Sequence, residues 1–300
     1  MTWWQFSLDC KAADLQQVEA LMQSLGALSI SIRDAADDPI YEPLPGDAPV
    51  WQASVLTATF DAGLDPDDLQ NRIVAGLPAA LAASLRRGSL QERDWEQAYR
   101  EHFHPLRCAP GLWIVPSWTE PPDPGAVNIR LDPGLAFGTG GHPTTALCLA
   151  WLAANDVSGL QVIDYGCGSG ILAIAAAQLG AAGVTAVDID PQALTACAAN
   201  LERNRIDNGR VRLGLPEDTP LDAVDLLIAN ILAGPLVELA PRFAALVKPG
   251  GRILLSGILK NQLEDIQLAY GPRFELDPAD YREEWVCIDG RRKTEQAVDG

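Results

Sequence analysis

Residues 162–190 read VIDYGCGSGILAIAAAQLGAAGVTAVDID, and this stretch decides the fold of a chain of 300 residues. A short apolar run ends in Asp164, a turn with three glycines follows, and Ile171 to Leu179 are good helix formers. Gly180 ends that helix, because glycine adopts the left-handed conformation of a helix C-terminus at little cost. A second apolar run then ends in Asp188. The pattern predicts strand, tight turn, helix and strand, which is half of a nucleotide-binding α/β unit.

The spacing of the glycines indicates which ligand the turn binds. A dinucleotide-binding turn has the pattern G-x-G-x-x-G, whose third glycine would fall on Ile171. This chain has G-x-G-x-G from Gly166, with Gly168 at its centre, Asp164 two residues before it and Asp188 placed 22 positions after its start to accept both hydroxyls of a ribose. Carboxylates beside the turn favour a cationic nucleoside over a phosphate. The combination resembles the first motif of the class I S-adenosylmethionine-dependent methyltransferases.

Composition and charge limit the class of protein. The length suggests two domains of about 150 residues each, and 48% hydrophobic residues suffice for a large core. There is no apolar run of membrane-spanning length and no signal-peptide pattern, so we expect a cytoplasmic protein without membrane contact. The six cysteines form no C-x-x-C pair, which indicates neither a disulfide framework nor a metal site.

The net charge of −18 is uneven along the chain. Residues 1–68 contain twelve acidic and two basic residues, a net of −10. A field of that sign repels nucleic acid and attracts basic partners. The charge favours a basic protein substrate, although an acidic surface that serves only solubility is an open alternative.

Residues 1–93 are predicted to form a first domain. Apolar spacing predicts the order strand, helix, two strands, helix and strand, which is that of a small α+β ferredoxin-like sandwich. That order alone indicates no function. The predicted strands are 2–8, 27–32, 51–60 and 89–93, and the predicted helices are 12–25 and 65–84, with a break at Pro78.

Residues 94–107 are predicted to form a linker helix, and residues 108–300 a second domain. Two strands, 112–118 and 127–131, are predicted to pair as a hairpin at its entry. From residue 161 onward strands and helices alternate, which predicts a doubly wound, mostly parallel, Rossmann-like sheet.

Two further stretches of the second domain contain candidate site residues. The first, DPGLAFGTGGHPTT at residues 132–145, is a glycine-rich loop before a helix, and it brings Phe137, Thr144 and Thr145 within reach of a ligand at the sheet edge. Its alternative is a plain helix-capping loop, and His142 is interpreted as structural. In the second, VDLLIANIL, a buried strand ends in Asn230. Ligands of open α/β sheets bind at the carboxyl ends of strands, so Asn230 lies where a catalytic group is needed.

Taken together, AFGTGGHPTT, DYGCGSGILAIAA, VDIDP and ANILAGPL closely resemble the ribosomal protein L-eleven methyltransferase family. The resemblance implies S-adenosylmethionine as cofactor, S-adenosylhomocysteine as product, and a substrate that is ribosomal protein L-eleven, free or on the ribosome. It implies methylation of the terminal α-amine and of lysine ε-amines, with Asn230 as the catalytic residue. The cofactor contacts carried over by position are Thr145, Gly166, Asp188 and Asn230. Phe137, Thr144, Asp164 and Gly168 complete the expected cofactor site.

Alternatives remain at the level of sequence. Related amine methyltransferases follow Asn or Asp with two prolines and an aromatic residue, whereas this chain has Asn-Ile-Leu at 230–232, which disfavours nucleic-acid bases as substrates. A small-molecule amine would not need the acidic front domain. A nicotinamide oxidoreductase is disfavoured by Ile171, and a non-catalytic scaffold by the presence of Asn230. Tyr165 departs from the small aliphatic residue that the family more often has before the turn.

Overall fold

A computed structural model of the chain describes residues 2–35, 51–91, 103–132, 140–207 and 209–294. The chain divides into two units, residues 1–98 and residues 99–300. Within the described residues, no helix is both long and apolar enough to cross a membrane.

The first unit contains a four-stranded antiparallel sheet in the order β2-β3-β1-β4. Alternate residues of β1, including Phe6 and Leu8, point into a core that α1 and α2 cover with Val18 and Ile73. The predicted ferredoxin-like order is confirmed. Its elements are β1 (Thr2–Lys11), α1 (Leu15–Ser24), β2 (Ser29–Asp34), β3 (Ala53–Phe60), α2 (Pro66–Gly76), α3 (Ala79–Ala82) and β4 (Arg86–Gln91).

The predicted helix at 65–84 is two helices. Asp65 caps α2 by accepting from Asp67 N at 3.0 Å, and Pro66 occupies the first turn, where its missing N–H costs nothing. Leu77 is extended because it precedes Pro78. The last strand begins at Arg86 rather than at 89.

The second unit is built on an eight-stranded sheet in the order β10-β9-β8-β11-β12-β15-β13, with β14 paired to β15. The strands from β10 to β12 are parallel, and β15, β13 and β14 add to them antiparallel. The predicted doubly wound, mostly parallel sheet is confirmed. Its elements are β5 (Leu106–Ala109), β6 (Leu112–Val115), β7 (Val127–Arg130), α4 (Pro143–Ala154), β8 (Gln161–Tyr165), α5 (Ile171–Gln178), β9 (Gly183–Val187), α6 (Pro191–Arg203), β10 (Val211–Gly214), β11 (Val224–Asn230), α7 (Ala233–Leu246), β12 (Val247–Leu259), α8 (Leu263–Tyr270), β13 (Phe274–Leu276), β14 (Asp280–Arg282) and β15 (Trp285–Arg292).

Helices cover both faces of this sheet. The seven buried residues of α5 pack with α4 against one face, and α7 and α8 bury Phe243 and Tyr270 against the other. Strand order reverses between β8 and β11, because β9 and β10 continue on one side of β8 while β11 and β12 lie on the other. Ligands of open α/β sheets bind at such a reversal.

The predicted entry hairpin is wrong. Strands β6 and β7 are parallel, with Leu112 opposite Val127, so the connection between them must run back along the sheet. The antiparallel partner of β6 is β5, and Gly111, at φ 75°, makes the tight turn between them. Leu106 and Arg107 therefore belong to a strand and not to the predicted linker helix. Residues 94–102 of that predicted helix lie outside the described residues.

Candidate active site

The candidate site lies at the carboxyl ends of three neighbouring strands. Tyr165 of β8 is level with Val187 of β9 and with Ala229 of β11. The residues that follow them are Gly166, Asp188 and Asn230. Register alone therefore brings the glycine turn, the strand-end carboxylate and the amide to one edge of the sheet, as the sequence predicts.

The three glycines of the turn cannot be replaced without strain. Gly166, Gly168 and Gly170 have φ of 81°, 51° and 79°, a region that L side chains rarely adopt. A Cβ on Gly166 would overlap the side chain of Ile231, and one on Gly170 would overlap Cys197 Sγ. The N–H groups of Gly166 and Cys167 donate to Val187 O at 2.7 and 3.0 Å, which holds the turn on β9. The turn is therefore a fixed, backbone-lined cradle.

Asp188 is held in one orientation by backbone donors. Gly168 N donates to Oδ2 at 2.8 Å and Asp190 N donates to Oδ1 at 3.0 Å. Because an ionised carboxylate has about four acceptor sites, each oxygen keeps capacity for a further hydrogen bond. The side chain is half-buried, and the neighbouring Ile189 is 81% exposed. This geometry fits acceptance of two ligand hydroxyls.

Asp164 lies beneath the turn, in the protein interior. It is 1% exposed, and its Oδ2 accepts from Ala173 N, in the first turn of α5, at 2.9 Å. Its Oδ1 is buried without a hydrogen-bond partner among the described residues. Burial raises the pKa of this carboxyl to about 7, against the lowering effect of the Ala173 N–H and with a smaller contribution from the charge of Asp188. Its visible contact is with the helix that follows the turn.

Asn230 is oriented by α4. Its Nδ2 donates to Thr145 Oγ1 at 3.3 Å, and Thr145 is fully buried. This hydrogen bond fixes the orientation of the amide, and the side-chain oxygen Oδ1 is the acceptor that Asn230 can offer to a ligand. The predicted pair Thr145 and Asn230 is therefore brought together by the fold.

Thr144 has a different role from its neighbour. It is buried, its Oγ1 lies 2.8 Å from His142 Nδ1, and its backbone N donates to the same nitrogen at 3.4 Å. His142 thus caps the start of α4, with its ring edge-on to Trp285 at 5.0 Å. Burial lowers the pKa of His142, and the charge of Glu283 opposes that shift. Phe137, the remaining predicted contact, lies outside the described residues.

Tyr165 is accommodated on the face of the sheet that α7 covers. Its ring meets Phe243 edge-on at 4.9 Å, and the guanidinium of Arg242 lies 5.6 Å from the ring centre. Arg242 also donates to Pro216 O, in the loop after β10, at 3.0 Å. The larger residue at this position is therefore packed away from the glycine turn.

Sequence reasoning missed Ser256 and Gly257 in β12. Ser256 is fully buried and is the register partner of Asn230, and Gly257 lies against the backbone of Ile231. A glycine inside an apolar strand pattern signals a bulge or a close backbone approach, and that signal was present in LLSGIL. Among the described residues, no group of three or more potential ligands could hold a metal ion.

Comparison with known proteins covers both units. A family profile described as Ribosomal protein L11 methyltransferase (PrmA) matches residues 2–293. A protein of that name from Teredinibacter turnerae is 47% identical over 295 residues, 98% of each chain. Another from Hahella chejuensis is 49% identical over 292 residues, 97% of this chain and 99% of the other. The crystal structure of ribosomal protein L11 methylase from Lactobacillus delbrueckii subsp. bulgaricus is 36% identical with a TM-score of 0.58, covering 64% of this chain and all of that one.

Proposed function

The chain belongs to the ribosomal protein L11 methyltransferase family, and on that basis we propose that it transfers methyl groups from S-adenosylmethionine to amino groups of ribosomal protein L11. The acceptors in this proposal are the terminal α-amine and lysine ε-amines. One observation carries the proposal: Asn230, with its nitrogen engaged by Thr145, leaves the sheet level with the glycine turn and Asp188. A hydrogen-bond acceptor for the substrate amine and a binding cradle for the nucleoside therefore lie at the same edge of the sheet.

The cofactor site fits a cationic nucleoside. The cradle at Gly166 and Gly168 has no side chains, so the backbone of the turn and the start of α5 can approach the ligand closely. Asp188 accepts hydrogen bonds from the ribose hydroxyls. Thr145 lies beside Asn230, with which it forms a hydrogen bond. Phe137, Thr144 and Asp164 belong to the proposed cofactor site as well. When bound, the cofactor supplies an electrophilic methyl group on a sulfonium.

The chain's contribution to the reaction is positioning of a neutral amine. At pH 7.5 an α-amine with a pKa of about 7.7–8.0 costs well under about 1 kcal/mol to deprotonate, whereas a lysine at about 10.4 costs roughly 4 kcal/mol. Asn230 Oδ1 accepts an N–H of the amine, and the carbonyl of Ile231 is the second acceptor. Together they direct the lone pair toward the methyl group, and desolvation favours the neutral amine. His142 Nδ1 is engaged in capping α4, so we assign it no role as a base.

Recognition of the substrate is assigned to the first domain, residues 1–93, joined by the linker to the catalytic domain. The net charge of −10 over residues 1–68 fits a basic ribosomal protein as the partner. The enzyme would act in the cytoplasm, on the free protein or on the ribosome.

The test is labelling with methyl-tritiated S-adenosylmethionine. The purified protein is incubated with ribosomal proteins from a strain that lacks this methylation, and the products are separated by mass. We expect label on L11 alone, and labelling about a hundredfold slower with the Asn230→Ala variant. Label on another protein, or only on small-molecule amines, would contradict the proposed substrate.

A further inference from the structure

We propose that Ser256 and Gly257, which form a bulge in β12, are positioning residues that set the two amine acceptors, Asn230 Oδ1 and Ile231 O, relative to one another. The inference rests on the function proposed above. Neither residue is assigned a contact with substrate or cofactor. They act through the backbone and through α4.

Gly257 supports the peptide that follows Asn230. The pairing of β12 with β15 is irregular between Ser256 and Ile258, and Gly257, at φ 86°, is the extra residue. A Cβ on Gly257 would overlap Ile231 O and would lie 2.7 Å from its carbonyl carbon and 3.1 Å from its nitrogen. These are backbone atoms, which cannot swing aside as a side-chain tip does. Any side chain at 257 must therefore force the backbone of β12 and the Ile231 peptide apart, which moves the Ile231 carbonyl relative to β12.

Ser256 links the same bulge to the helix that orients Asn230. It lies opposite Asn230 in the β11–β12 register and is fully buried. Its hydroxyl lies 3.1 Å from Val286 O and 3.4 Å from Thr144 O, so its single proton is shared between β15 and α4. The next residue of α4, Thr145, accepts from Asn230 Nδ2. One bulge thus contacts both supports of the acceptor pair.

The consequence for catalysis is geometric. Two acceptors fixed to a common support can hold two N–H groups of a neutral primary amine, which leaves the lone pair in one direction. A displacement of Ile231 O relative to Asn230 Oδ1 would turn that lone pair away from the methyl group. The cofactor contact at Asp188 lies at the end of β9 and is held by the backbone N–H groups of Gly168 and Asp190, so it would be unaffected. Loss of the bulge should therefore lower kcat with little change in cofactor affinity.

The chain offers a matched control for this test. Gly250 lies in the same strand, has φ 78°, and has nothing within 4 Å of where its Cβ would be. Gly257→Ala and Gly250→Ala therefore impose the same backbone strain, but only the first meets a neighbour. We expect Gly257→Ala to lower kcat at least thirtyfold with S-adenosylmethionine Kd within threefold of wild type. Gly250→Ala should keep both values within threefold.

A second readout needs no substrate. The side-chain amide resonances of Asn230, assigned by their loss in Asn230→Ala, should shift in Gly257→Ala and exchange faster with solvent, and should be unmoved in Gly250→Ala. Unmoved resonances in Gly257→Ala, or a kcat within threefold of Gly250→Ala, would overturn the inference. If Gly257→Ala does not fold, Ser256→Ala decides: shifted resonances and a tenfold lower kcat support the inference, and wild-type behaviour overturns it. If wild-type protein does not methylate L11, the proposed function fails, while the amide resonances still decide the positioning role.

Discussion

Replacing Asp164 by Asn tests whether a buried, ionisable carboxyl beneath the glycine turn controls stability near neutral pH. In the folded protein its pKa is about 7, mainly because burial disfavours the charged form. In the unfolded chain it returns to the model-peptide value of 3.8. Because the folded-state pKa is the higher one, the folded protein holds a proton that the unfolded chain has released. The contribution of Asp164 to the free energy of unfolding is fully present below pH 3.8, the pKa of the unfolded chain, and is lost as pH rises through 7, the pKa of the folded protein.

The size of the effect follows from linkage. A difference of about three pKa units corresponds to roughly 4 kcal/mol over the whole range, of which roughly 2.5 kcal/mol falls between pH 5 and pH 8. Asp164→Asn keeps an oxygen to accept from Ala173 N but cannot ionise. The free energy of unfolding of the variant, relative to wild type, should therefore rise by roughly 2.5 kcal/mol from pH 5 to pH 8.

The assay is urea unfolding at pH 5, 6, 7 and 8, followed by near-ultraviolet circular dichroism. Asp156→Asn is the control, because that carboxyl is exposed and its pKa is held low by hydrogen bonds from Ser158, so it stays ionised across this range. Asp156→Asn should leave the wild-type pH dependence unchanged. If Asp164→Asn also keeps the wild-type slope, or if the Asp164 carboxyl carbon titrates near pH 4 by NMR, the reasoning is refuted.

Four further predictions concern the site and the first domain. Asp188→Ala removes charge-assisted hydrogen bonds worth about 1.5–3 kcal/mol each, so S-adenosylmethionine Kd should rise at least tenfold by calorimetry with the protein still folded; an unchanged Kd would exclude Asp188 from the site. Asn230→Ala should lower kcat about a hundredfold while Kd changes much less, and turnover within a few-fold of wild type at saturating cofactor would contradict its assignment. A fragment that begins at Phe103, and so keeps β5, should fold and bind S-adenosylmethionine but lose methylation of L11; full activity would show that the first domain does not read the substrate. In the intact protein, raising salt from 50 to 500 mM should weaken substrate capture and leave cofactor binding almost unchanged, because exposed charges are screened beyond about a Debye length.

Local signals predicted most of the second unit. The strand at 161–165, the glycine turn and the strand end at Asn230 lie as expected, because each depends on residues adjacent in sequence. The pairing of strands that are distant in sequence was harder to predict. The hairpin expected at 112–131 is a parallel pair, since a proline-rich connection does not reveal its direction. Strands β13 and β14 have three residues each, too few to show a period.

The site shows the same division between local and non-local information. Asn230 and Thr145 were predicted separately from motifs, but the hydrogen bond that joins them spans 85 positions. The neighbouring Thr144 faces His142, because only one of two adjacent helical residues can point at a given spot on the sheet. The support from Ser256 and Gly257 depends on how β11, β12 and β15 align, which spacing along one strand does not contain.

The reversal of strand order between β8 and β11 divides this edge of the sheet into two parts that can evolve separately. One part, β8 and β9 with their turns, contains the cradle and Asp188, and the other, β11 and β12, contains Asn230 and the bulge. The two parts meet along the pairing of β8 with β11 and where Ile231 packs against Gly166, so a sequence change that spares these contacts leaves the backbone of the other part in place. During evolution the substrate that receives the methyl group can therefore change while the cofactor site stays the same. To redesign the specificity for the methyl-accepting substrate, the positions to change are the segment from Asn230 to Leu232 and its support at Gly257.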